Sequence, residues 1–211
     1  MAKILLTRHG HVEGIKPERF RGREPLALTA RGRAEAAALA RRIAEGWRPR
    51  RIYCSPMGRC IETATAIATA CGIAAETCAD LNDIDYGAWQ FKTFAAAKAQ
   101  NPQLFAAWFA MPHLVRFPNG EALQDVAARV ANAVRLVLAR HPDDTIVLVG
   151  HDSVNRMLLL QCLDLPPSAY WRLDQEPCCL NEIDITSEKV CIRRSNETCH
   201  LDALAARGDA R

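Results

Sequence analysis

Short apolar runs alternate along the chain with longer segments in which apolar residues recur at helical spacing. The runs Ile4–Leu6, Arg51–Cys54 and Thr145–Gly150 are brief, and each stops at a polar residue or a glycine. Runs of this kind are typical of strands in a parallel sheet that is covered on both faces. The pattern therefore predicts three buried strands.

Helices are predicted between these strands. Thr29 is a candidate N-cap for an alanine-rich helix that runs to about Glu45 and stops at Gly46. A second long helix ends near Arg140, and its apolar residues share one face: Leu123, Val126, Val130, Val134, Val137 and Leu138. Further helices are predicted over 57–71, over 93–111 with a break at Pro102, and over 153–162.

The C-terminal part predicts a different element. Residues 179–185 and 189–194 are separated by Thr-Ser-Glu and favour two strands of a hairpin. Together with the alternation of strands and helices, this predicts a three-layer α/β/α fold. Its central sheet is expected to be mostly parallel, with helices on both faces and a C-terminal antiparallel edge hairpin. We expect one domain over 1–198 and a loosely ordered tail over 199–211.

Composition narrows the class of protein. The chain has 211 residues, an apolar fraction of 49% and a net charge of +3, which suit one globular domain. The arginines between 41 and 51 lack interleaved aromatic residues, so no nucleic-acid partner is expected. No run reaches the roughly 18 apolar residues of a membrane span. The nine cysteines are odd in number and follow no charged leader, which predicts reduced thiols and a cytoplasmic location. The oligomeric state stays open, a homodimer included.

The predicted strand ends carry a set of basic side chains. Arg8 and His9 follow the first strand, Arg59 lies just beyond the second, and His151 follows Gly150. Because the carboxyl ends of parallel strands meet at one edge of a sheet, these side chains are expected to converge. Clustered positive charge requires an anion, and bidentate arginines favour a phosphate group. Helix N-termini near Met57 and beyond His151 would add amide donors.

Two other chemistries compete for the same residues. His9 and His11 could form a metal pair with His151 and Asp152, but neighbouring arginines make a dication unfavourable. Cys54 and Arg59 suggest a cysteine phosphatase, yet four residues separate them where that loop uses five. Both hypotheses are therefore weaker than an anion site with a histidine.

Four motifs, in the same order along the chain, resemble those of one protein family. Arg8-His9-Gly10, the segments 55–64 and 81–87, and Gly150-His151 are together similar to the histidine phosphatase superfamily, also called the phosphoglycerate mutase-like family. The resemblance covers nearly the whole chain. It implies that His9 is a nucleophile that forms a phosphohistidine.

The same resemblance implies roles for other residues. Arg8, Arg59 and His151 would hold the phosphate, with the amide of Ser153 nearby. Asp83 stands where the family carries its proton donor. No metal and no other cofactor is implied.

The chain also departs from the family's pattern. Asp83 is one methylene shorter than the usual glutamate, which leaves Asp85 as an alternative acid. Arg21 stands in place of a glutamine, and Arg21 and Gly22 are expected at the substrate mouth. Asp152 replaces a glycine after the second histidine.

The segment after Asp83 favours the phosphatase branch of the family. In the glycolytic mutases, the acid motif is followed by tyrosine and lysine contacts to a substrate carboxylate. This chain has Ile-Asp-Tyr-Gly-Ala-Trp instead. The sequence predicts a hydrolase for the phosphomonoester of a small metabolite. A mutase-type phosphotransferase and a non-catalytic phospholigand-binding protein are the alternatives.

Overall fold

A six-stranded sheet organises residues 1–204, which are the residues that the computed structural model describes. The strands are β1 (Ala2–Arg8), β2 (Arg51–Cys54), β3 (Ala75–Thr77), β4 (Thr145–Gly150), β5 (Leu180–Ile185) and β6 (Val190–Glu197). Their order across the sheet is β3-β2-β4-β1-β5-β6. The first four strands of this order are parallel, while β5 runs antiparallel to β1 and β6 antiparallel to β5. The predicted mostly parallel sheet with an antiparallel C-terminal edge is confirmed.

Side-chain alternation in β1 divides the core into two layers. Ile4 and Leu6 belong to one buried cluster, while Leu5 between them belongs to the other. The pattern repeats in the neighbouring β4, where Leu148 and Val149 face opposite layers. Successive strand residues point to opposite faces, so a run that is apolar at every position must be covered on both sides.

Within residues 1–204, six α-helices provide that cover. They are α1 (Ala30–Gly46), α2 (Gly58–Cys71), α3 (Phe94–Gln100), α4 (Pro102–Ala110), α5 (Leu123–Arg140) and α6 (Asp152–Cys162). α1 and α2 pack against the face that contains Leu5. α5 and α6 pack against the opposite face, together with Trp108 of α4. The three predicted layers are therefore present.

Local sequence explains the ends of α1 and α2. The Thr29 side chain accepts a hydrogen bond from the amide of Gly32 at 3.0 Å, as expected of an N-cap. The predicted stop at Gly46 is one residue early, because Gly46 is still helical and the chain leaves the helix at Trp47 in an extended conformation. Gly72 ends α2 with φ of 68°, a left-handed cap that favours glycine.

The predicted break at Pro102 separates α3 from α4. Asn101 ends α3, and its side chain accepts a hydrogen bond from the amide of Leu104 at 2.9 Å. Pro102 then occupies the first turn of α4, where a missing N–H costs no helical hydrogen bond. At this break, Asn101 caps the end of α3 and the beginning of α4.

The C-terminal hairpin lies at the edge of the sheet. Beyond β6, Cys199–Leu201 forms a 3-10 helix, and the His200 Nε2 donates to the carbonyl oxygen of Cys178 at 3.0 Å. Residues 205–211 of the predicted tail lie outside the described residues. In the part of the chain that is described, no helix is both long and apolar enough to cross a membrane.

Candidate active site

The carboxyl ends of β1, β2 and β4 bring the predicted site residues together. Arg8, the last residue of β1, is in register with Gly150, the last residue of β4. The amide of His9 donates to the Gly150 carbonyl at 3.1 Å, which joins the two strand ends. Arg59 lies in the first turn of α2 after β2, and His151 is the N-cap of α6 after β4. The convergence follows from the parallel topology.

His9 is held with one ring nitrogen free of a proton. Its Nδ1 lies 2.7 Å from the Gly10 carbonyl, to which only an N–H can donate. Its Nε2 accepts a hydrogen bond from the Nε–H of Arg59 at 3.2 Å. Burial and the nearby charge of Arg59 hold the pKa of His9 well below its usual range. The imidazole is therefore neutral near pH 7, with its lone pair on Nε2.

Arg59 is fully buried and fixed by backbone carbonyls. Its Nη1 donates to the carbonyl of Glu24 at 2.8 Å, and its Nη2 donates to the carbonyl of Gly22 at 2.6 Å. Nη2 also forms an ion pair with Asp83 Oδ2 at 3.0 Å. The guanidinium is thus oriented before any ligand arrives, and an anion entering beside it would compete with Asp83.

His151 lies beside His9, with 5.2 Å between the ring centroids. Its Nε2 is 2.8 Å from the Ser55 hydroxyl, and its Nδ1 is 3.2 Å from Nη2 of Arg59, which can only donate. The same Nδ1 is 3.4 Å from Asp83 Oδ2. Burial, followed by the charge of Arg59, keeps the pKa of His151 well below its usual range. The site therefore contains two neutral histidines.

Asp83 is held at the site through both its side chain and its backbone. The Ser153 hydroxyl donates to Asp83 Oδ1 at 2.7 Å, and the amide of Ile84 donates to the same oxygen at 2.9 Å. The Asp83 carbonyl accepts from Arg23 Nε at 3.1 Å and from Arg129 Nη2 at 3.2 Å. Ser153 lies in the first turn of α6, and its hydroxyl contacts the Asp83 carboxylate.

The alternative acid Asp85 and the neighbouring Glu121 have different partners. Asp85 Oδ1 accepts from the amide of Gly87 at 2.8 Å. Glu121 forms ion pairs with Arg23 and Arg129, both at 3.1 Å. These interactions brace the loop that carries Asp83. Of these three acids, Asp83 lines the small cavity described below, whereas Asp85 and Glu121 do not.

A small cavity, called here the inner cavity, adjoins these groups. Its volume is about 30 Å³, and its lining includes six of the predicted site residues: Arg8, His9, Arg21, Gly22, Asp83 and Ser153. Arg8 Nη1 donates to the carbonyl of Gln175 at 2.5 Å. Its Nε is buried without a hydrogen-bond partner among residues 1–204. Arg59 and His151 do not line the cavity themselves, but each contacts two of its lining residues, His9 and Asp83.

Gly22 is constrained by both conformation and space. Its φ is +44°, in the left-handed region, and a Cβ there would lie 2.5 Å from the side-chain oxygen of Gln90 and 2.9 Å from the Ile84 carbonyl. Its own carbonyl is an acceptor for Arg59. A glycine is therefore needed for the loop to approach Arg59.

A larger cavity, called here the outer cavity, lies next to the inner one and shares five lining residues with it: Arg8, Arg19, Arg21, Tyr86 and Asp152. Its volume is about 360 Å³, and one wall is aromatic: Phe20, Tyr86, Phe94, Trp108 and Trp171. Across from these rings, Asp152 forms an ion pair with Arg156 at 2.9 Å. The space is large enough for the organic part of a small ester.

The geometry disfavours the two competing chemistries. His11 Nδ1 bonds the Thr29 hydroxyl at 3.0 Å and takes no part in a metal cluster with His9. Within residues 1–204, one group of three potential metal-ligating side chains comes close together, and it lies at the end of β6 and just after it: Glu197, Cys199 and His200. Burial raises the pKa of the Cys54 thiol to about 11, so this cysteine is not a thiolate near pH 7.

Sequence reasoning missed three residues that support the site. Ser55 follows β2 directly, so the strand-end argument could have identified it as the partner of His151. Gln175 and Arg129 contact the site from distant loops and helices. Nothing in their local sequence signals these contacts.

Comparisons with known proteins agree with this architecture. A phosphoserine phosphatase 1 from Hydrogenobacter thermophilus is 29% identical over 201 residues, which cover 95% of each chain. A probable phosphoglycerate mutase GpmB from Yersinia enterocolitica is 27% identical and covers 97% of each chain. The solved structure of YhfR from Bacillus stearothermophilus superposes with a TM-score of 0.90 and 27% identity, covering 95% of this chain and all of that one.

The family model described as histidine phosphatase superfamily (branch 1) matches residues 4–198. This match runs from β1 to just past β6 and includes every strand-end residue of the site. The chain belongs to the histidine phosphatase superfamily.

Proposed function

We propose that the protein hydrolyses phosphomonoesters of small alcohols through a phosphohistidine at His9. The observation that carries the proposal is the state of the His9 ring. Its Nδ1 proton is fixed on the Gly10 carbonyl, and the neutral Nε2 lone pair lies beside Arg59. A neutral, oriented imidazole next to a preorganised cation is what attack on a phosphate requires.

In the first step, His9 Nε2 forms a bond to phosphorus while the bond to the ester oxygen breaks. Arg8 and Arg59 stabilise the negative charge on the phosphoryl oxygens. Asp83 acts as the general acid and gives a proton to the departing alkoxide. The products of this step are the free alcohol, phosphohistidine and an Asp83 carboxylate.

In the second step, water attacks the phosphorus and His9 Nε2 leaves. The Asp83 carboxylate takes a proton from the attacking water, which restores the acid. Inorganic phosphate then departs and the starting enzyme is regenerated. Ser153 holds Asp83 in place throughout, at 2.7 Å from its carboxylate.

The protein supplies positive charge from its own side chains. Arg8 and Arg59 are 6% and 0% exposed, and each is oriented by backbone carbonyls. Activity is accordingly expected without a metal. The nine free cysteines suit a reducing compartment such as the cytoplasm, and a homodimer remains compatible with the site.

The test is a hydrolysis screen of phosphorylated metabolites with and without EDTA, with O-phosphoserine included because of the similar phosphoserine phosphatase. Rapid quench with labelled substrate should trap an acid-labile, alkali-stable phosphoenzyme that the His9→Ala variant lacks. Loss of turnover in EDTA that Zn²⁺ or Mn²⁺ restores would refute the metal-free mechanism.

Product analysis separates hydrolase from mutase. With 3-phosphoglycerate, the proposal predicts glycerate and inorganic phosphate. Rapid formation of 2-phosphoglycerate would instead identify a mutase. Binding of phosphate without turnover of any ester would identify a phospholigand-binding protein.

A further inference from the structure

Arg21 lies on the wall between the inner and outer cavities and lines both. Its Nη1 donates to the carbonyl of Gly14 at 2.8 Å. Within residues 1–204, no carboxylate comes within ion-pair distance of its guanidinium. Burial and the neighbouring charge of Arg8 lower the pKa of Arg21, although an arginine stays charged near neutral pH. The partly buried guanidinium of Arg21 thus has N–H donors left for a ligand.

The other charges of the outer cavity have partners or face solvent. Asp152 and Asp174 both lie against Arg156, at 2.9 and 3.6 Å. Arg19 stacks 4.7 Å from the Phe91 ring and donates to the Phe91 carbonyl at 3.1 Å.

Three further charged residues, Lys16, Glu18 and Glu176, line the outer cavity but are exposed to solvent. Arg8 belongs to the phosphate site. Arg19 and Arg21 both line the outer cavity without a carboxylate in ion-pair distance, but the Arg19 guanidinium is stacked on Phe91. Among the described residues, Arg21 is therefore the partly buried cation of the outer cavity that has neither an ion pair nor a stacked aromatic ring.

We propose that Arg21 binds a carboxylate on the alcohol part of the substrate, so that the enzyme selects phosphomonoesters of short hydroxy acids. This inference rests on the proposed phosphatase function. The planar guanidinium matches a carboxylate with two parallel hydrogen bonds. Its position between the cavities places that carboxylate close to the phosphate bound at His9.

The charge balance favours a carboxylate over two other groups. A second phosphate would bring up to two negative charges to one unpaired cation, beside Asp152 and the exposed acids of the rim. An ammonium group would meet Arg8 and Arg21 on the shared wall. A carboxylate brings the single negative charge that Arg21 lacks.

The experiment compares three two-carbon esters that differ in one group: phosphoglycolate, 2-hydroxyethyl phosphate and phosphoethanolamine. The kcat/KM of the natural protein is expected to be at least tenfold higher for phosphoglycolate than for either of the others. Arg21→Gln, which installs the family's usual residue, should lower kcat/KM for phosphoglycolate at least tenfold. The same variant should change the value for 2-hydroxyethyl phosphate less than threefold.

The control variant Arg41→Gln removes the same charge from an exposed position of α1 and should leave all three values within twofold. If Arg21→Gln lowers kcat/KM equally for all three esters, Arg21 belongs to the phosphate site and the inference is overturned. Unchanged kcat/KM values in Arg21→Gln would overturn it as well. In both cases, continued hydrolysis of 2-hydroxyethyl phosphate would leave the phosphatase proposal standing.

A binding measurement covers the case in which these esters turn over too slowly. Calorimetric titration of phosphoglycolate and 2-hydroxyethyl phosphate into the His9→Ala variant should show tighter binding of phosphoglycolate. Adding Arg21→Gln to that variant should remove the difference. A difference that persists in the double variant would refute the role of Arg21.

Discussion

The inner and outer cavities share a wall at Arg21 but are built in opposite ways. His9 lines the inner cavity, and Arg59 and His151 contact that lining. All three are at most 2% exposed, and strand ends and helix N-termini fix their positions. The volume of the outer cavity is about 360 Å³, whereas that of the inner cavity is about 30 Å³. The walls of the outer cavity come from loops and helices that are distant along the chain. The inner cavity suits one fixed reaction on a phosphate group. The outer cavity can change with loop sequence, so it decides which alcohol the phosphate is attached to.

The sharpest test of this division removes the nucleophile. His9→Ala should lower hydrolysis of every ester at least a thousandfold, whatever its alcohol, because no other group in the inner cavity is placed to attack phosphorus. Steady-state rates on p-nitrophenyl phosphate and on an alkyl phosphate measure the loss. His11→Ala is the matched control, since His11 bonds Thr29, and it should keep most activity. If His9→Ala retained activity, the reaction would not depend on the inner cavity, and the proposed roles of the two cavities would be wrong.

The next largest effect is expected at Arg59. Arg59→Ala should cost about 3 kcal/mol of transition-state stabilisation, because it removes a preorganised donor from the phosphoryl oxygens. The loss should appear in kcat on all esters alike, which is the signature of a residue that acts on the phosphate group. Arg33→Ala, an exposed arginine paired with Glu62, is the control and should behave like the natural protein.

Arg59 is fully buried, so folding of the variant must be checked by its thermal transition. If Arg59→Ala does not fold, Arg59→Lys keeps a cation and should still lower kcat severalfold, since lysine cannot reproduce the fork that contacts Glu24 and Gly22. Normal kcat in a folded Arg59 variant would contradict its proposed role.

A third test separates acid from nucleophile within the inner cavity. Asp83→Asn should slow hydrolysis of alkyl phosphates about 100-fold, because their alkoxide needs a proton. It should slow hydrolysis of p-nitrophenyl phosphate less than fivefold, because the phenolate leaves without a proton. The phosphohistidine should still form in rapid quench. Asp85→Asn is the control, and equal slowing of both substrates in Asp83→Asn would transfer the acid role to another group.

The two cavities also differed in how far the sequence could predict them. His9, Arg59 and His151 follow strands whose apolar runs are unambiguous, and parallel topology then forces their convergence. Gln175 is 167 residues from Arg8, and its contact depends on a loop conformation that no local pattern encodes. β3 was missed because its three residues are all exposed, which leaves no hydrophobic periodicity to detect.

Asp83 lies between these extremes. The resemblance of residues 81–87 to the family placed it at the site, and the structure puts its carboxylate 3.0 Å from Arg59. Its support by Arg129 could not be predicted, because that contact joins a helix to a loop 46 residues away. Tertiary contacts between irregular segments are set by packing rather than by local sequence.

The smallest expected effect concerns stability, and it also distinguishes the two cavities. Burial lowers the pKa of His9 and of His151 in the folded state, so the unfolded chain binds more protons below about pH 6.5. Stability is therefore complete above that pH and is lost as the pH falls. Each of the two histidines contributes a slope of up to about 1.4 kcal/mol per pH unit.

Urea unfolding of the natural protein and of His9→Ala between pH 7.0 and 5.0 measures this slope. His9→Ala should reduce the slope by about 1 kcal/mol per pH unit at the acid end, since one of the two buried neutral histidines is gone. Arg21→Gln is the outer-cavity control and should keep the natural slope, because an arginine does not titrate in this range. An equal slope in His9→Ala and the natural protein would mean that His9 takes up its proton in the folded state as readily as in the unfolded chain. The neutral lone pair required for attack would then be absent at mildly acidic pH, and phosphoenzyme formation should decline over the same interval.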